Sequence, residues 1–583
     1  MLSSRVLSLL IILILGQSVS SAQTSSQKAG SPTASGAEES ERQLALARIY
    51  GLVDRVSAFK DAAVKSLTIA RLGNLLWDVD EAYARQLFSK SLDLSSEKSN
   101  VSAAEANALT DARREILSLI AGRDAALARR AMMKDSASKA GGEDAPGQMR
   151  SNFTVAYDLV KTDPAKAQDF ARQSLAGGVH PFMPALLQQL RAKDERAADA
   201  LFIKALDSLA AEPLPDASLL LLLGTYVFTS PRLDVTDYTS NLMVGVGTQI
   251  VPDITADRPG VSRLLVRAYL EAAARILTRP VSDPKQRELY YISGYLLLPK
   301  AERFAPELVA AIGAANSALA STVPPQLTQE TAFSGFKSAP AKDLDETISN
   351  IEKMPGQKQR DIKFLSLFFN LWRRDDFTRA REVADKISDL NVTARLKTLI
   401  DFRRAIKSLE RGGQALADAE ATANKLPKGI ERVILWLNIV RVLRKAGNAS
   451  DAESALSEAA GAARSIDDAR RPFLLLNVAG QLARFDASLT DSILKEAVRD
   501  FNAQKADAVS KVDWRAKVEI EPVWLYFPLD EREDYGMEAS IPNLLAASPE
   551  AAFSALMQLT GEAQQSQVIL AFSSLLTKPL SKR

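Results

Sequence analysis

The sequence predicts an all-α protein, an α-solenoid of stacked antiparallel helical hairpins with an irregular aromatic insert near the C-terminus. The first observation is a period. Polar turns centred on Asp375-Asp376, Gly412-Gly413, Asn448 to Ser450 and Phe485-Asp486 each separate an apolar helical stretch from an Ala-rich one, and the steps from Asp376 to Gly413 to Ser450 to Asp486 are 37, 37 and 36 residues. That is the length of one helix-turn-helix unit in a stacked array. The second is its echo in the first half, where similar turns at Asp80, Asp124, Asp163 and Asp194 are spaced by 44, 39 and 31 residues. The third is the absence of Cys from 583 residues. Disulfides, thiolate metal sites and Cys nucleophiles are excluded, so packing between neighbouring units has to hold the chain.

Residues 1–22 read as a secretory signal. Arg5 supplies the positive start, Val6 to Leu15 the apolar stretch, and Ser20-Ser21-Ala22 the small-residue cleavage site before Gln23. Ten residues, apolar apart from Ser8, fall short of the roughly 20 that span a bilayer. A long exported chain without Cys points to a bacterial envelope, so the expected location is periplasmic or secreted. Residues 23–40, rich in Ser, Thr, Ala and Gly, read as a disordered tether. Loss of Arg5 with the signal leaves 72 basic against 71 acidic residues, interspersed along the chain. The basic excess that binding a phosphate backbone requires is missing, which excludes nucleic acid as the expected partner.

Residues 41–210 read as N-terminal helical repeats, beginning with the pair Arg55 to Trp77 and Asp80 to Leu94. In Asp163-Pro164 the Asp is placed to cap and the Pro to open a helix. Residues 211–342 form an irregular helical middle region. Leu219 to Leu223 fits a buried helix, Thr229 to Gly260 with its Pro and Gly residues reads as a long loop, and Val323 through Pro340 as a linker. Residues 343–510 carry the regular repeats. In Glu431 to Leu443, Val433, Leu437 and Val440 make one apolar stripe while Ile434, Trp436 and Leu443 add a second, the pattern of a helix sandwiched between neighbours. Residues 511–583 combine the irregular insert with a terminal helical pair.

These helix lengths and spacings, with Leu72-Gly73, Leu76 and Ala82 alternating large and small side chains, resemble the tetratricopeptide-like α-solenoid superfamily over roughly two thirds of the chain. The family's fuller pattern of Trp, Gly, Tyr, Ala, Phe and Pro is not kept in any unit, and HEAT-like pairing fits the same spacing. The resemblance implies action through surface shape.

The insert from Lys511 to Leu545 concentrates the candidate binding residues: Trp514, Glu519, Glu521, Trp524, Tyr526 and Tyr535. Val518 to Glu521 alternates like a short strand, and Pro522, Pro528 and Pro542 prevent a continuous helix. Aromatic rings beside carboxylates suit a peptide- or sugar-binding lip, and Glu519 with Glu521 could serve as a general acid/base pair. Equally, the insert could cap an exposed apolar end of the array. Arg373-Arg374, Arg411, Arg444-Lys445 and Arg484 recur at the ends of first helices, where the helix dipole favours cations and where an acidic partner could dock. His180 is the only histidine and Gly245-Val246-Gly247 lacks the third glycine and the context of a dinucleotide loop. No metal, no cofactor and no catalytic residue is therefore expected. The reading is a non-catalytic secreted helical-repeat scaffold that binds proteins or peptides in the bacterial envelope. The alternatives are an α/α-toroid carbohydrate-active enzyme using paired carboxylates, and a structural subunit of an envelope assembly.

Overall fold

Seven Asp or Asn side chains cap the helices that follow their turns. Asp80, Asp124, Asp163, Asp194, Asp376, Asn448 and Asp486 each accept a hydrogen bond, at 2.9–3.4 Å, from the backbone N–H three residues ahead. Each thereby satisfies an amide that a helix start leaves unpaired. The turns come in two forms. Asp80, Asp163 and Asp194 return their own N–H to the carbonyl four residues back, whereas Asp376 and Asn448 reach the fifth through a residue at positive φ, Asp375 (57°) and Gly447 (78°). The turn at Gly412-Gly413 lies outside the described residues.

The computed structural model describes residues 34–96, 102–138, 145–229, 243–246, 249–252, 254–329, 344–409, 415–504, 512–529 and 535–578. Among them the fold is all-α with very little sheet. The chain divides into two compact units, Met1–Gly51 and Leu52–Arg583. Helix α1 (Ala34–Ser57) crosses that division and is already helical at Ala34, inside the stretch read as a tether. The signal segment lies outside the described residues.

In the second unit, first helices α2 (Ala62–Leu76), α4 (Ala103–Arg123), α6 (Ala145–Leu159) and α8 (Met183–Arg191) alternate with second helices α3 (Glu81–Leu94), α5 (Ala125–Ser138), α7 (Pro164–Ser174) and α9 (Glu195–Ala211). Each pairs with its hairpin partner, and α2 also packs on α4 and α4 on α6. Gly73 explains the tightness of the first hairpin. A Cβ there would sit 3.2 Å from the Ala84 carbonyl and 3.3 Å from Leu87 and Phe88, so a larger residue would push α2 and α3 apart by a few tenths of an ångström.

The middle region holds α10 (Ala217–Val227), α11 (Arg263–Leu277), α12 (Pro284–Phe304) and α13 (Val309–Ala320). Between α10 and α11, where the sequence reads as a loop, two short antiparallel pairs form: β1 (Phe228–Thr229) with β4 (Ala256–Asp257), and β2 (Met243–Val246) with β3 (Gln249–Pro252). The β-branched Val244, Val246, Ile250 and Val251 in the latter pair favour strands even with Pro252 at its end. Lys300 fixes β4 to α12 by bonding both the Thr255 carbonyl and Asp257 at 2.7 Å.

The regular half comprises α14 (Leu344–Glu352), α15 (Gln357–Arg373), α16 (Phe377–Ala384), α17 (Leu390–Leu409), α18 (Ala415–Lys425), α19 (Ile430–Lys445), α20 (Ala449–Arg464), α21 (Arg471–Leu482) and α22 (Ala487–Ala503). Strands β5 (Arg515–Ile520) and β6 (Val523–Pro528) follow, then α23 (Met537–Ala547), α24 (Pro549–Leu556) and α25 (Glu562–Thr577). Pro542 sits inside α23 rather than ending a helix, held where Ile541, Leu544 and Leu545 are buried. Helix α21 packs on α23, α23 on α25 and α25 on α2. At that last junction the Glu562 carboxylate accepts the N–H groups of Lys60 (2.7 Å) and Asp61 (2.8 Å), and Thr68 and Ser566 share a 2.6 Å hydroxyl contact.

Candidate functional site

Helices α19 and α21 are apolar on almost every side. From Val433 to Val440 each residue of α19 is buried, as is each residue of α21 from Pro472 to Gly480. Such helices need cover on the face their hairpin partners leave open. The insert supplies it. Strand β5 runs against α15 and α17. Phe527, fully buried, is edge-on to Trp372 at 5.1 Å and to Phe369 at 5.3 Å. The Arg403 guanidinium lies 4.0 Å over the Trp372 ring and bonds Asp375 at 2.8 Å. Burial pushes the Asp375 carboxyl up, but Arg403 and Lys407 more than offset this and hold it below the usual range.

Further along, Tyr535 drops between α19 and α21. It is 2% exposed, its hydroxyl accepts from Asn438 Nδ2 at 3.3 Å, and its carbonyl accepts from Asn477 Nδ2 at 3.0 Å. Trp514 stands edge-on to Phe473 at 5.9 Å and leans on Tyr535 at 5.6 Å. The insert thus lies across the first helices of the regular half, and the terminal helices α23 to α25 continue the packing beyond it.

The six candidate residues separate into two groups. Register places Glu519 opposite Trp524 and Lys517 opposite Tyr526 on the solvent face of the hairpin. Trp524 is 53% exposed and Tyr526 36%. The Arg515 guanidinium lies 4.4 Å over Tyr526, the Lys517 ammonium 5.7 Å over Trp524, and Lys517 pairs with Glu519 at 2.5 Å. Glu521 is exposed in the turn. Trp514 and Tyr535 are absent from this face, being packed beneath between helices. Glu519 and Glu521 therefore stand on an exposed hairpin rather than in a cleft. Of the basic series, Arg373 covers Phe369 at 5.9 Å, Arg374, Lys445 and Arg484 are exposed, and Arg411 lies outside the described residues.

The first half offers a cleft that the sequence reading did not single out. It spans the first helices α2, α4 and α6, has a volume of about 810 Å³, and is lined by Asp111, Arg114, Glu115, Ser118, Arg123 and Asp158 among others. Asp111, Glu115, Ser118 and Gly122 follow one another at helical spacing along α4, so the stripe is polar and shallow where α19 is greasy. That spacing was the signal available in the sequence. Arg71 holds one oxygen of Glu115 at 2.9 and 2.5 Å, Ser118 donates to Asp158 at 2.7 Å, and Arg123 donates to Asn74 at 2.8 Å. These bonds preorganise charged groups that remain open to solvent.

His180 stacks on Phe153 at 4.0 Å and accepts the Phe182 N–H through Nδ1 at 3.2 Å. Burial, with Arg150 nearby, lowers its pKa. Gly245 and Val246 lie in β2, paired with β3, and Gly247 lies outside the described residues. Among the described residues no group of three or more His, Cys, Asp or Glu is placed to hold a metal ion, and no helix is long and apolar enough to cross a membrane. No family model matches the chain, and no curated protein matches it.

Proposed function

We propose that this chain is a non-catalytic α-solenoid scaffold of the bacterial envelope that binds proteins or peptides, and that the cleft across α2, α4 and α6 is the seat. The cleft is the observation that carries the reading. Three successive first helices contribute to it, so its donors and acceptors are spread along a line, which suits an extended chain more than a compact metabolite. The packing of α2 on α4 and of α4 on α6, and of α17 on α19, supports the stacked arrangement. The exposed, ion-paired setting of Glu519 favours binding over glycoside chemistry, which needs two carboxyls flanking a bound sugar.

A photo-crosslinking residue at Leu119, inside the cleft, tests the proposal against one at Glu458, exposed on α20. In intact envelopes a discrete adduct is expected from position 119, and Glu115→Arg should abolish it. Adducts that form equally at both positions, or at neither, would refute the seat. Fractionation tests the location, with the chain expected in the periplasmic or secreted fraction.

A further inference from the structure

The cleft across α2, α4 and α6 has its cations committed and an acid left over. Of the two guanidinium groups that line it, Arg114 holds Asp111 at 3.1 Å and Arg123 holds Asp78 at 3.1 Å. The cations that reach its acids from outside are also engaged. Arg71 holds Glu115 at 2.5 Å, and Lys166 holds Asp163 at 3.1 Å while bonding the Gly122 carbonyl at 2.7 Å. Asp158 on α6 is different. It accepts the Ser118 hydroxyl at 2.7 Å and forms no ion pair among the described residues. Glu115 is only half used, because both Arg71 nitrogens meet the same oxygen, Oε1, and its Oε2 has no donor among the described residues. Glu115 lies less than one helical turn before Ser118 on α4, and the bond from Ser118 to Asp158 ties α4 to α6, so the two acids serve the same stretch of the cleft.

We propose that the partner seated in this cleft is a basic segment, an extended stretch of chain whose arginine or lysine head lies between Glu115 and Asp158. The inference rests on the cleft being the binding seat and adds the chemistry of what it takes. A wall whose donors are engaged and whose carboxylates keep free oxygens selects a partner that brings donors. The half-buried Leu119 and the buried Leu159, which line the same cleft, give the methylene stem an apolar bed while the charged head stays at the acids. An acidic segment would meet Asp158 with no uncommitted cation of the lining to offset it. A neutral segment would strip water from two carboxylates and return nothing in its place, a cost that a cation offsets.

The probe is a short fluorescein-labelled peptide of alternating arginine and glycine, with two controls of equal length in which glutamate or citrulline, the uncharged isostere, replaces arginine. Fluorescence anisotropy with the purified protein is expected to show binding of the arginine peptide, binding weaker by about tenfold or more for the citrulline peptide, and none for the glutamate peptide. Asp158→Asn keeps an acceptor for Ser118 and should weaken the arginine peptide by about fivefold with circular dichroism unchanged. Glu458→Gln, an equal loss of charge exposed on α20, should leave it as it was. Asp158→Lys supplies a positive test, since it should raise affinity for the glutamate peptide. Failure of the arginine peptide to bind, equal binding of the arginine and citrulline peptides, or equal effects of Asp158→Asn and Glu458→Gln would each overturn the proposal. A discrete adduct from position 119 in envelopes alongside such a result would leave the seat standing and remove only its basic partner, whereas loss of both would remove the seat as well.

Discussion

The two sets of helical hairpins in this chain use the same turn and finish it differently. In both, an Asp or Asn caps second helices, and a glycine, Gly73 or Gly480, allows a close helix contact. In the first, α4 turns Asp111, Glu115, Ser118 and Gly122 to a cleft. In the second, α19 and α21 are apolar on almost every side, Tyr535 enters between them, and the hairpin of β5 and β6 covers α15 and α17. The difference teaches that the exposed face of a first helix decides whether a groove stays open. A polar stripe tolerates water, whereas burying a Phe or Leu is worth about 1.5–3 kcal/mol, enough to recruit cover.

The largest expected effect breaks the cover. Phe527→Ala removes the ring wedged among Phe368, Phe369 and Trp372 and should cost about 3–5 kcal/mol. In hydrogen exchange, protection of β5, β6 and α15 should fall while α2, α4 and α6 keep theirs. Loss of protection in both arrays alike would mean they are not separable. Next comes Asn477→Ala, which leaves the buried Tyr535 carbonyl without its 3.0 Å donor and should cost about 1–3 kcal/mol in denaturant titration.

The caps sharpen what the arrays share. Asp163→Ala and Asp486→Ala should each cost about 1 kcal/mol, with similar values if the turn works the same way in both. A cost at only one site would show that the common grammar is not common in energy.

The smallest effect is expected at His180. Its folded pKa is depressed by burial and by Arg150, so the fold prefers the neutral ring. Stability tied to it is complete above about pH 6.5, the unperturbed value, and is lost as pH falls through the lower folded value. As the sole histidine it gives one imidazole signal in proton NMR. That signal should titrate below pH 6.5 in the folded protein, and Arg150→Gln should move it upward. A midpoint at or above 6.5 would contradict the packed position beside Phe153.

Much of the architecture was legible because it depends on short-range chemistry. The Asp and Asn caps act over three residues, so Asp80, Asp163 and Asp486 mark their helices directly. The strand signal in Val518 to Glu521 was equally local, and its partner β6 follows two residues later. The insert's destination was not legible, since nothing in Trp514 or Tyr535 says which helices they will enter. Hydrogen bonds from Asn438 and Asn477, 97 and 58 residues away, decide it. For the same reason neither reading of the insert, a binding lip or a cap on the array's end, names the helices it meets, and the six candidate residues divide between a solvent face and a helical seam.

The sequence by itself determined the helices, their capped turns and the apolar excess of α19 and α21, because propensity, capping and periodicity are properties of neighbours in the chain. Only the tertiary structure decided that the hairpin covers one array, that the other keeps a polar cleft, and that α25 packs on α2. Those outcomes depend on which apolar faces meet across hundreds of residues, and hydrophobic burial, having no direction of its own, leaves that choice to shape and to a few buried hydrogen bonds.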